Sequence, residues 1–78
     1  MQKTIEYLNH LVHTGINADD FYSIKVIDSA IYMQGNAVPL VMDQIENYFL
    51  TKLVYKNGTL ILNHHNSDDI HIQFTFTI

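Results

Sequence analysis

The sequence predicts an α+β fold: a two-layer sandwich, order α-β-β-α-β-β-β, with two helices packed on one face of a mainly antiparallel five-stranded sheet. Three observations predict it. Apolar residues recur at three- and four-residue spacing in two separate stretches, the mark of two amphipathic helices. Asn57-Gly58 separates two apolar runs and is the preferred pair for a two-residue type I′ hairpin turn. The C-terminal stretch alternates without a fault, with Ile70, Ile72, Phe74, Phe76 and Ile78 on one side and His71, Gln73, Thr75 and Thr77 on the other.

Taken in order, Thr4 is placed to cap a first helix whose stripe is Ile5, Leu8, Leu11, Val12 and Ile16. Gly15 suits a left-handed C-terminal cap, and Asn17-Ala18-Asp19-Asp20 reads as a loop. From Phe21 the period becomes two. Tyr22, Ile24 and Val26 alternate with Ser23 and Lys25, so the first three are expected on the buried side. Asp28-Ser29 is a tight turn into a strand carrying Ile31, Tyr32, Met33 and Gln34, which Gly35-Asn36 ends. Pro39 suits the first turn of the second helix, where its missing N–H has no partner to lose. Val38, Val41, Met42, Ile45, Tyr48 and Phe49 share one face of that helix; Asp43, Gln44, Glu46 and Asn47 share the other. The Asn57-Gly58 turn then fixes Tyr55 opposite Leu60, Val54 opposite Ile61 and Leu53 opposite Leu62. Leu53, Tyr55, Leu60 and Leu62 face the helices, leaving Val54 and Ile61 on the uncovered side. Whether the last strand lies at an edge or in the middle of the sheet is open at this level.

Composition sets the boundaries. With 78 residues the chain makes one domain, 1–78. At 47% hydrophobic and 15% charged it is too apolar for a disordered chain. No apolar run reaches the roughly 18 residues that cross a bilayer, and no basic-then-apolar leader opens the chain, so the cytoplasm is the expected compartment. The absence of cysteine excludes disulfides, thiol catalysis and cysteine metal sites. Eight acidic side chains face four lysines (Lys3, Lys25, Lys52, Lys56) and no arginine, a net charge of −4. Four scattered ammonium groups do not track a run of phosphates, so direct nucleic-acid binding is not expected, and neither is membrane binding. An acidic surface favours basic partners instead.

Candidate sites follow from chemistry and spacing. His64, His65 and His71, with Asp68 and Asp69, are of the type that holds zinc or nickel. They match no helical His-x3-His pair, alternation places His64 across the sheet from His71, and a polar solvated loop is the simpler reading. No resident metal and no cofactor is therefore expected. The acids come as neighbours, Asp19-Asp20, Asp43 with Glu46, and Asp68-Asp69, rather than facing across a cleft, and no serine sits in a nucleophile motif. No catalytic residue is assigned and an enzyme is not expected.

What remains is surface. The uncovered Val54–Ile61 pair and the excess of acids point to protein binding. The expected contact residues are Asp19, Asp20, Asp43, Glu46, Val54, Ile61, Asp68 and Asp69. The expected function is a small protein-binding module, a stoichiometric inhibitor or accessory factor. It would occlude a surface of a larger complex, with a basic surface of a nucleic-acid-handling complex as one candidate. A structural homo-oligomer, for instance a homodimer through the same sheet, is the alternative, and a histidine-rich metal-binding protein the third. In size, acidity and lack of catalytic motifs the chain resembles, as a class, the small cysteine-free proteins of phages and mobile elements. Among these are anti-defence and anti-CRISPR inhibitors. That likeness implies a blocking role and assigns no residues.

Overall fold

The computed structural model describes residues 2–78. Its elements are α1 (Gln2–Thr14), β1 (Phe21–Ile27), β2 (Ala30–Asn36), α2 (Pro39–Phe49), β3 (Val54–Lys56), β4 (Thr59–His65) and β5 (His71–Thr77), with a single 3₁₀ turn at Ala18–Asp20. The five strands form one sheet in the order β1-β2-β5-β4-β3. All neighbours are antiparallel except β2 and β5, which are parallel. The C-terminal strand is therefore central: its alternating residues have strand partners on both sides, so it is not an exposed edge.

Both helices cover the same face. Ile31 and Met33 of β2, Leu62 of β4, and Ile72, Phe74 and Phe76 of β5 lie in register on that face and form one cluster with Leu11, Ile45 and Phe49. Phe74 joins the layers, its ring packed against Phe21 and Phe49 at centroid distances of 5.7 and 5.3 Å. Gln44 Nε2 donates to the Gly15 carbonyl at 2.7 Å and ties the helices together.

Several local expectations are corrected. Thr4 is not a cap: it lies inside α1, buried, and its Oγ1 donates to the Asp28 carbonyl at 3.0 Å, fastening the helix to the β1–β2 turn. Gly15 is not left-handed. It gives room to the Tyr48 ring, which would stand 2.6 Å from a Cβ at that position. In β1 a register shift falls between Phe21 and Ser23. The extra residue turns Phe21 to the core opposite Gly35 and sends Tyr22 to the outer face, where its hydroxyl meets Thr77 Oγ1 at 2.9 Å. Ile24 and Val26 keep the expected side.

The Asn57-Gly58 turn forms with φ of 51° and 81°, as a type I′ turn requires. Val54 and Tyr55 pair with Ile61 and Leu60 as expected, but Leu53 does not pair with Leu62. Its N–H, which in this hairpin's phase points away from β4, is held by Glu46 Oε2 at 2.7 Å and ties the chain to α2 just before β3 begins. Tyr55, on the edge strand of the sheet, stays largely exposed rather than packing under the helices.

Candidate functional site

Among the described residues, no helix or strand covers the sheet face opposite the helices. Reading the register across it, Lys56, Thr59, Thr77 and Asn36 form one row, and Val54, Ile61, Thr75, Gln34 and Ser23 the next. Asn63, Gln73, Tyr32 and Lys25 follow, and His65, His71, Ala30 and Ile27 complete it. None of the five strands contains an Asp or Glu. The two charged strand residues, Lys25 and Lys56, both lie on this face. A protein of net charge −4 thus presents a carboxylate-free sheet of amides, hydroxyls, imidazoles and tyrosines.

The acids stand around that sheet. Asp19 and Asp20 precede β1, at the end where Phe21 pairs with Gly35. Asn17 Oδ1 accepts from the Asp19 N–H at 3.0 Å and shapes the turn. Asp68 and Asp69 lie in the β4–β5 turn, at the opposite end, where β5 enters beside Ser29. Asn66 organises this turn, its Oδ1 accepting from the N–H groups of Asp68 and Ile70. A seven-residue strand separates the two pairs by about 20 Å at roughly 3.3 Å per residue. Asp43 is exposed on α2, in the helical layer. Glu46 is not an open contact residue: its side chain is largely buried, holding the Leu53 N–H with Lys52 Nζ 4.0 Å away. The eight expected contact residues therefore do not form one patch; Val54 and Ile61 share the outer face, and the acids frame or back it.

The histidines divide as alternation requires. His64 lies on the core side against Phe49, ring centroids 4.8 Å apart. His65 and His71 are cross-strand partners on the outer face, stacked at 4.6 Å with planes 8° apart. Tyr32 meets His71 edge-on at 6.3 Å, and Asn63 Oδ1 lies 2.8 Å from His71 Nε2. His65 Nδ1 is 4.0 Å from Asp69 Oδ1. Partial burial, and secondarily the His65 ring, hold His71 below the ordinary imidazole value. Among the described residues no three His, Asp or Glu side chains are placed to share a metal ion.

A groove of about 410 Å³ opens where β3 gives out, lined by Thr51, Lys52, Val54, Lys56, Ile61, Leu62, Asn63 and Gln73. β3 ends its pairing at Val54–Ile61, so the groove lies beside the unpaired part of β4, and local sequence pattern carries no signal for where the connection from α2 joins the hairpin. No described helix is long and apolar enough to cross a membrane. Compared with known proteins, the chain matches no family model, no curated protein and no solved structure.

Proposed function

We propose that this chain is a cytoplasmic protein-binding module, an inhibitor or accessory factor that acts by covering a surface of a larger assembly. The single observation behind this reading is the five-stranded face without a roof, populated by side chains that recognise rather than react. Tyrosines and amides give area and hydrogen bonds at low entropic cost, and Val54, 64% exposed beside Ile61, gives an apolar anchor. The framing acids at both ends of the strands suit a partner whose contact surface is flanked by basic groups, as on a nucleic-acid-handling complex.

The test is capture of partners from the source cell by the tagged chain, compared with a Val54→Lys/Thr75→Lys variant whose circular dichroism is unchanged. The expected result is a stoichiometric partner held by the native chain and lost by the variant. Equal capture by both, or none by either, overturns the reading. Light scattering of the isolated chain is expected to give a monomer; a dimer broken by the same two substitutions would show instead that the face pairs with itself.

A further inference from the structure

We infer that the edge of β4 at Leu62–His65 is a docking site for an extended acidic segment of the partner, which adds there as a strand continuing the line of β3. This rests on the reading of the chain as a binding module, and it places one contact at the sheet edge rather than on its face. The lengths of the strands carry it. β4 has seven residues, and β3 covers three of them, Thr59 to Ile61. In a two-residue hairpin the residues flanking the turn exchange both hydrogen bonds, and alternate residues thereafter point the same way. Lys56–Thr59 and Val54–Ile61 are thus the bonded pairs, and Asn63 and His65 aim the next N–H and C=O groups toward the same edge. No described segment takes them, since β3 begins only at Val54. The side of β4 facing β5 is fully paired, so only this edge is open.

Free strand edges are commonly blunted by a charge or a bulge, as at the other edge of this sheet, where β1 carries Lys25 and its register shift. The β4 edge has neither. It adjoins the groove, which supplies the specificity: Val54 and Ile61 receive an apolar side chain, and Lys52 and Lys56 stand on its walls. Two of the chain's four lysines line this notch, Lys52 with Glu46 Oε1 4.0 Å away and Lys56 with no described salt bridge, and this cationic wall favours an acidic segment.

The experiment is amide exchange and a ¹⁵N–¹H titration of the intact chain with a probe peptide, acetyl-Glu-Val-Glu-Val-Glu-Val-amide. Controls are the same peptide with Lys for Glu and one N-methylated at alternate residues. Alone, the protein is expected to exchange Asn63 and His65 amides freely while Leu62 and His64 are protected. The acidic peptide should slow both free amides and shift Val54, Ile61 and Asn63. N-methylation, or Asn63→Pro in a folded variant, should weaken binding about three- to tenfold or more, the effect of removing an edge hydrogen bond. Asn63→Ala separates out the side chain, and Lys52→Glu/Lys56→Glu should abolish the preference for the acidic probe. Protection of Asn63 and His65 in the free protein overturns the proposal, as does equal binding of the N-methylated or the Lys-containing peptide. If Asn63→Pro leaves partner capture intact while Val54→Lys/Thr75→Lys removes it, the edge is wrong and the binding face stands.

Discussion

At the scale of single residues, Gly35 sits where the backbone leaves no room for a side chain. A Cβ on Gly35 would stand 2.9 Å from the Asp20 carbonyl oxygen and 3.3 Å from Phe21 Cδ1. The first of these is backbone and cannot swing away, so Gly35→Ala is expected to cost about 1–3 kcal/mol in urea unfolding, as overpacking does. Thr4→Val keeps the shape but orphans the Asp28 carbonyl, and should cost about 1 kcal/mol in the same measurement. His71 makes stability depend on pH. Its folded value is lowered, so the unfolded chain binds the proton more readily and the neutral ring favours the fold. That contribution is fully present above the ordinary value of about 6.5 and is lost as pH falls from there toward the folded value. Melting midpoints taken across this window should therefore drop more steeply for the native chain than for His71→Gln. Parallel curves would show that the stacked pair does not disfavour the charge.

At the scale of elements, sequence patterning revealed what depends on local period and turn chemistry. Both helices, the Asn57-Gly58 hairpin and the alternation of β5 were legible because each is set by neighbours in the chain. The places where patterning misled are those where a distant group intervenes. Phe21 faces inward because a bulge inserts Tyr22, and a period-two reading carries no signal for one extra residue. Thr4 looked like a cap because the carbonyl it serves belongs to a turn 24 residues away. Glu46 looked like a free surface acid because its backbone partner lies in the following connection. The candidate site suffered most, since the notch forms where the connection from α2 joins the hairpin, and no local period marks that junction. Glu46→Ala tests what the bond to Leu53 holds. It leaves the part-buried Leu53 N–H without its acceptor, so urea unfolding is expected to show a loss of about 1–3 kcal/mol. An unchanged midpoint would mean that the connection after α2 is held by something other than Glu46.

At the scale of the whole molecule, β5 is the piece on which the architecture turns. Without it the sheet falls into two separate hairpins, β1–β2 and β3–β4, and a two-stranded hairpin is at best marginal in water. The parallel β2–β5 pair joins Ala30 to His71, residues far apart in sequence, so the core cannot close until nearly the whole chain is in place. Ile72, Phe74 and Phe76 are each fully buried, and Phe74 alone contacts the aromatic rings of both β1 and α2. Phe74→Ala is expected to cost about 3–5 kcal/mol, which is much of what a domain this small has to lose. Its thermal midpoint should fall by about 15 °C or more, at roughly 4–8 °C per kcal/mol. Ile78→Ala, one residue past the strand and 71% exposed, should change stability by no more than about 0.5 kcal/mol. Because β5 links the two hairpins into one layer, the loss at Phe74 should appear as a single cooperative transition, with the tyrosine signals of β1, β2 and β3 melting together. Separate transitions for the two hairpins would show that the bare outer face is not one rigid surface, and a docking surface made of rows that cross all five strands would no longer hold together.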